Sequence, residues 1–246
     1  MLHGPQRGRF DLEFELPSGC ADRVAEGSAD IGIIPSFELL RQDLEIVRGA
    51  GIACRGPVRS ILLVSSRPAA EIESLAVDTS SRTSVQLARI ILEERFGAAP
   101  ELLPMAPDLE GMLRAADAAL IIGDPALRID AGTVRADRHI YDLGAEWVEM
   151  TGLAMVFAVW AGRRDVVTPE VVEAFRDSCR FGRERMEEIV AAESESRGFA
   201  PELVREYLTH HIVHELEERD YRGMEAFLAK ADRLNACATA PAIFPL

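Results

Sequence analysis

The sequence predicts a two-lobed α/β protein with a C-terminal helical segment, and three observations carry that prediction. Short apolar, strand-like runs alternate with helical stretches across short connections, the signature of an α/β sheet. Two such α/β units follow one another, joined by extended crossing segments, which implies two lobes with a cleft between them. Beyond residue 169 the chain becomes charged and amphipathic with helical spacing, which suits helices covering one sheet. The lobes implied are residues 1–70 together with 155–246, and residues 71–154.

Each element has a local reason. Residues 10–16, Phe-Asp-Leu-Glu-Phe-Glu-Leu, alternate strictly between apolar and acidic and predict a half-buried strand. Ser18 is placed to cap a short helix over 20–26, which Gly27 stops. Residues 29–34 read as a buried strand ended by Pro35-Ser36, followed by a helical turn over 37–41 and a strand near 45–47. An apolar strand over 59–66 leads into a Pro-, Ala- and Glu-containing linker at 67–74. The second unit opens with a short strand at 75–77, a polar loop at 78–84 and a helix over 85–96 that turns Leu87, Ala88, Ile91 and Leu92 to the core. Asp108 starts a helix to 116, and residues 118–122 form a buried strand ending in Gly123-Asp124-Pro125. The apolar run 155–160 returns the chain to the first lobe. Pro169 and Pro201 stand where N1 prolines open helices, to about 196 and 218, and Asp220 precedes a third to about 234. The apolar tail 238–246 reads as an extended arm or a frayed end.

Composition prunes the function. A chain of 246 residues with 48% hydrophobic and 28% charged residues is ordinary for a globular protein and rules out a mostly disordered one. The net charge of −14, with no cluster of cations, excludes nucleic acid as the expected partner. No apolar stretch approaches the ~20 residues of a membrane span. Met1-Leu2-His3-Gly4-Pro5 lacks the apolar core of a signal peptide, so the expected compartment is the cytoplasm.

Cysteines 20, 54, 179 and 237 are scattered without a C-x-x-C pair, which argues against a zinc ribbon or disulfide scaffold. The single lysine, Lys230, lies in an acidic helical segment; Schiff-base chemistry has no other candidate, and a Walker loop has no Gly-Lys pair. His210 and His214 have i, i+4 spacing, but without a glutamate at the zincin position they read as a polar helix face. Trp147 and Trp160 read as packing residues. No cofactor or metal is expected.

Strand-end loops that run into helices are the places for chemistry. At the carboxyl ends of strands, helix N-termini present unpaired N–H groups and a partial positive charge, so an anion can be held there without lysine. Ser18 reads as an ordinary cap. Ser36 stands between cap and ligand donor, and Asp124 between cleft acid and turn former. The 78–84 stretch reads as ligand-binding, because six of its seven residues are Asp, Ser or Thr and one helix cap needs one hydroxyl.

Four motifs carry a resemblance. Gly56-Pro-Val-Arg-Ser-Ile-Leu-Leu63, Leu75-Ala-Val-Asp-Thr-Ser-Ser-Arg-Thr-Ser84, Ala118-Ala-Leu-Ile-Ile-Gly-Asp-Pro-Ala-Leu127 and Thr151-Gly-Leu-Ala-Met-Val-Phe-Ala-Val-Trp160, in this order, resemble the chorismate dehydratases (MqnA) of the futalosine route to menaquinone. The resemblance runs from about Phe10 to about Leu234. It implies a type II periplasmic-binding-protein-like fold, a cytoplasmic setting and a hydro-lyase that turns chorismate into 3-[(1-carboxyvinyl)oxy]benzoate.

That reaction needs a ring proton and a hydroxide to leave, and the forming aromatic ring drives it. Placing a dianion is then the main task, and a substrate carboxylate is able to take the proton itself. The resemblance makes Ser80, Ser81, Thr83 and Ser84 the donors of a carboxylate cradle, with Ser81 as the catalytic candidate. Ser36 faces them from the other lobe, Ser60 lies on a crossing segment, Asp124 contacts substrate and Arg59 is available as a cation. It also implies that a first strand usual in that family is missing, which would leave two strands of the first lobe without a neighbour. The alternatives carried are a non-catalytic small-carboxylate-binding protein of the same fold, and the naphthoate-forming sister enzyme of the pathway, for which His139 in a charged stretch is a poor fit.

Overall fold

A computed structural model describes residues 1–78, 80–129 and 138–236. Its strands form two sheets. The first has three strands in the order β1 (Ile31–Pro35), β8 (Met155–Gly162), β2 (Glu45–Cys54), all antiparallel. The second has five in the order β5 (Glu101–Pro104), β4 (Ser74–Val77), β6 (Ala118–Ile122), β3 (Ile61–Ser65), β7 (His139–Asp142). Here β4 runs parallel to both neighbours, and β3 runs antiparallel to both of its own. Both sheets therefore contain antiparallel pairs. The chain passes from the first sheet to the second between Cys54 and Ile61, earlier than residue 70, and returns through β8.

The second sheet is enclosed on both faces. Leu63, Leu75, Val77 and Leu120 pack under α2 (Arg82–Phe96) and α5 (Leu143–Thr151), while Leu62, Val64, Ala76 and Ile121 pack under α3 (Leu109–Ala115) and α4 (Asp124–Leu127). Continuous apolar runs such as Ile-Leu-Leu-Val follow from burial on both faces. The first sheet is covered by α1 (Pro17–Glu26), α6 (Pro169–Glu184) and α9 (Glu218–Ala236). Trp147 is fully buried against Phe227, and Trp160 packs edge-on against Phe175, so both tryptophans are packing residues.

Several elements differ from the sequence expectation. Residues 11–16 form no strand: the segment joins neither sheet, and Leu12, Phe14 and Leu16 are exposed. Ser18 makes no cap; Leu16 is the residue before α1, which opens on Pro17 and ends at Gly27 in the left-handed conformation. β2 continues past Gly49 to Cys54, because a bulge between Ile46 and Gly51 absorbs the glycines. Gly49, at φ +97°, gives its N–H to the Tyr221 hydroxyl at 2.7 Å.

β5 and β7 were not expected, being short and half-exposed, nor was α5, whose N-cap Asp142 accepts from the Ala145 N–H. The long helix after Pro169 breaks at Arg185 into α6 and α7 (Met186–Arg197). The next, α8 (Pro201–Glu206), widens into a π turn at Tyr207–His211 and stops there. Val213 and Ala53 then exchange backbone hydrogen bonds at 2.7 and 3.0 Å, which draws the chain out of the helix. Cys237 and the tail 238–246 lie outside the described residues. Among those described, no helix is long and apolar enough to cross a membrane.

Candidate functional site

The predicted site residues fall into two clusters. The first gathers around the start of α2, which begins three residues earlier than the sequence suggested and so takes in Thr83 and Ser84. Ser81 is the N-cap: its oxygen accepts from the Ser84 N–H at 3.4 Å, and the Ser81 and Ser84 hydroxyls stand 2.9 Å apart. The Ser80 N–H donates to Asp78 Oδ1 at 2.9 Å, folding the loop back on a buried carboxylate. Thr79 lies outside the described residues.

Ser36, at the head of a 3₁₀ turn (Ser36–Leu40) that follows β1, meets this helix start from the first sheet. Its hydroxyl donates to the Val156 carbonyl at 2.7 Å and lies 3.4 Å from Thr83 Oγ1, which also accepts the Phe37 N–H at 3.1 Å. With the Ser36 proton spent on Val156, the Thr83 hydroxyl is the donor in the pair. Ser36, Thr83 and Ser84 are fully buried, whereas Ser80 and Ser81 keep partial access to solvent. Ser36 and Thr83 thus form a joint between the sheets, and Ser80 and Ser81 supply its accessible hydroxyls.

Charge reinforces the joint. Glu38 is fully buried and bridges Arg41 at 3.0 Å and Arg82 at 2.9 Å, and Arg82 reaches on to Asp22 of α1 at 2.9 Å. A buried carboxylate between two guanidiniums is favourable only with this much hydrogen bonding.

The second cluster surrounds Ser60, where the chain crosses between sheets. The Asp142 carboxylate accepts the Val58 N–H at 2.9 Å and the Arg59 N–H at 2.7 Å. These bonds hold Arg59 at φ +64°, a left-handed conformation that no other non-glycine among the described residues adopts. Gly144, on α5, lets that helix approach: a Cβ there would stand 2.7 Å from the Gly56 carbonyl. The Ser60 carbonyl accepts the Gly123 N–H at 2.7 Å, which brings Ser60 beside Asp124 although 63 residues separate them. Asp124 is partly exposed and paired with Arg197 at 2.9 Å. The Tyr207 hydroxyl donates to Ser60 Oγ at 2.9 Å; burial pushes the Tyr207 pKa up, and the Ser60 hydrogen bond opposes this only in part.

Tyr207, Asp142 and the Glu38–Arg82 pair were missed from sequence. Asp142, an acid just before an apolar helical run, had a readable cap signal. Tyr207 had none, since its π turn interrupts an ordinary charged helix. The turn also ends at His211, so His210 and His214 do not share a helix face. His211 Nδ1 lies 2.8 Å from the Pro57 carbonyl, and burial lowers the His214 pKa. Lys230 is ion-paired with Glu94.

A family model described as menaquinone biosynthesis matches residues 1–233. The chain belongs to that menaquinone-biosynthesis family. A relative from Thermus thermophilus, named chorismate dehydratase, is 33% identical over 234 residues, a match covering 89% of this chain and 85% of the relative. The fold of this menaquinone-biosynthesis protein is shared more widely. Protein AF1704 from Archaeoglobus fulgidus superposes with a TM-score of 0.69 at 19% identity, covering 90% of this chain and 85% of that one. The periplasmic aliphatic sulphonate binding protein SsuA from Escherichia coli gives 0.63 at 14%, covering 94% and 78%. The architecture is that of the periplasmic binding proteins, as the four sequence motifs implied.

Proposed function

We propose that this chain is a hydro-lyase that dehydrates chorismate to 3-[(1-carboxyvinyl)oxy]benzoate in menaquinone biosynthesis. Family membership, with the Thermus relative, supports the reaction. The observation that supports the site is the start of α2, where solvent-accessible Ser80 and Ser81 stand at the positive end of a 15-residue helix. One substrate carboxylate is held there by hydroxyl and amide donors. Ser60 and Asp124 border the substrate on the crossing segment, with Tyr207 fixing the Ser60 hydroxyl. Ser36, Thr83 and Ser84 shape the cradle from within.

The protein's task is orientation. A ring proton and the ring hydroxyl leave as water, and aromatisation supplies the driving force. Holding the dianion in one pose lets its own carboxylate take the proton, and preorganised donors lower the barrier without a side-chain base. No single His→Ala change is then expected to abolish turnover in a folded protein.

Incubation with chorismate, followed by ultraviolet absorbance and mass spectrometry, tests the reading. The aromatic product is expected; unchanged chorismate with measurable binding points instead to a carboxylate-binding protein. Ser81→Asp separates cap from cradle. Aspartate caps a helix as well as serine does, so the melting temperature should hold. Its charge faces the substrate anion, so turnover should fall by about 10²-fold or more. Full activity in Ser81→Asp removes Ser81 from the site.

A further inference from the structure

Asp124 stands where an acid works against the proposed ligand. β4 and β6 run parallel with Val77 opposite Leu120, so the loop carrying Ser80 and Ser81 and the turn carrying Asp124 leave the same edge of the second sheet. An anion seated at the start of α2 has the Asp124 carboxylate for a neighbour, and like charges at short range repel. The cation that answers this charge comes from the C-terminal helices. Arg197, in the last turn of α7, donates to Asp124 Oδ2 at 2.9 Å and to Glu193 Oε2 at 2.6 Å. Two further contacts tie the end of α7 to the end of α4. Arg128 donates to the Arg197 carbonyl at 2.8 Å, and its guanidinium lies 4.4 Å from the centre of the Phe199 ring. The Asp124–Arg197 pair also lies near Ser60. Burial pushes up the pKa of Tyr207, whose hydroxyl holds Ser60, and of the paired charges Asp124 raises it further while Arg197 lowers it.

We infer that Arg197 is a positioning residue for the substrate: it masks the charge of Asp124, so that a dianion settles against Ser80 and Ser81 without meeting a bare carboxylate. This rests on the dehydratase reading, which supplies the dianion. The geometry favours a mask over a direct ligand, because the guanidinium is already shared between Asp124 and Glu193 and its helix end is tethered by Arg128. Asp124 and Glu193 against Arg128 and Arg197 make two negative and two positive charges. The border of the cradle is thus locally neutral in a chain of net charge −14. Exposed ion pairs of this kind add little to stability, so the effect of this one is felt in substrate binding.

Two measurements on the full chain test the inference: steady-state kinetics with chorismate, and titration calorimetry with the dianionic product, 3-[(1-carboxyvinyl)oxy]benzoate. Arg197→Gln should raise KM and weaken product binding about tenfold, with kcat little changed and the melting temperature held. The defect should shrink as salt is added, since salt screens the exposed Asp124 charge. Arg197→Lys keeps the cation and should retain most of the affinity. Adding Asp124→Asn to Arg197→Gln removes the charge that needed masking and should recover most of what was lost. Unchanged binding in Arg197→Gln overturns the inference. So does a double variant as weak as Arg197→Gln, which would make Arg197 a direct ligand. A wild type that binds the product with this pattern across the variants but leaves chorismate unchanged supports the role of Arg197 and refutes the dehydratase reading. Turnover and binding both indifferent to Arg197→Gln refute the role alone, and a wild type that neither converts chorismate nor binds the product refutes both.

Discussion

The two sheets meet the same requirement, burial of apolar surface, with different completeness. In the second, every residue of β3 is buried, β6 is buried over four of its five positions, and helices lie on both faces. In the first, β1 alternates between buried and half-buried positions and pairs only with β8 among the described residues, and a strand-patterned segment beside it leaves Phe14 and Leu16 in solvent. Five strands with both faces covered resist local opening, whereas three strands with half-buried positions open more readily. The candidate site lies where the two sheets meet, so the firm one presents α2 while the looser one supplies Ser36.

The contrast predicts a graded set of effects. Leu120→Ala, in the centre of the second sheet, should cost about 2–5 kcal/mol in urea unfolding, through lost burial and a cavity that strands on either side hold open. A cost near zero would mean that sheet is as loose as the first. Asp142→Ala removes the acceptor of three backbone N–H groups and the support of left-handed Arg59; about 1–3 kcal/mol is expected, with Asp142→Asn partly restoring it.

Asp220 adds a pH dependence on the first-sheet side. Burial raises its pKa, but the paired hydrogen bonds from Arg55, at 2.9 and 2.7 Å, and the Glu217 N–H outweigh burial and hold it below its usual value. The folded-state pKa is thus lower than the unfolded one. The stabilisation is fully present above the usual carboxylate pKa of about 3.9 and is lost as pH falls through the folded value. Asp220→Asn should therefore cost about 1.5 kcal/mol at neutral pH and progressively less relative to wild type as unfolding is measured in acid. A gap that does not narrow would assign the effect to packing.

Tyr207→Phe keeps the ring and removes one hydrogen bond, so about 0.5–1.5 kcal/mol of stability should be lost. If Ser60 contacts substrate, KM should rise more than kcat falls, and a Tyr207→Phe/Ser60→Ala double variant should be no worse than Ser60→Ala. Smallest of all, Leu12→Ser and Phe14→Ser should change the unfolding free energy by no more than about 0.5 kcal/mol, since neither side chain is buried. A larger loss would show that the segment packs more tightly than its exposure indicates.

Much of the second sheet was legible because its strands are buried on both faces, and such runs as Ile-Leu-Leu-Val and Ala-Ala-Leu-Ile-Ile announce themselves without a partner in view. Helices opened by Pro169 and Pro201, or closed by Gly27 and Gly97, were legible from local backbone preference. The hydroxyl-rich loop before α2 was legible as an excess over capping needs. Residues 10–16 misled the reading for the converse reason. Alternation records what a strand would bury, and a strand also needs a neighbour to pair with.

By itself, then, the sequence determined the α/β class, the order of most elements and the hydroxyl-rich start of α2, which rest on periodicity, caps and local composition, and it carried the four family motifs. Tertiary structure alone decided which hydroxyls are spent and which are accessible, that Ser36 meets Thr83, that Tyr207 meets Ser60, and that Glu38 is buried between two arginines. The Ser36–Thr83, Tyr207–Ser60 and Glu38–Arg82 pairings join residues 44 to 147 positions apart. Their partners are chosen by packing the two sheets together, which no local preference along the chain encodes.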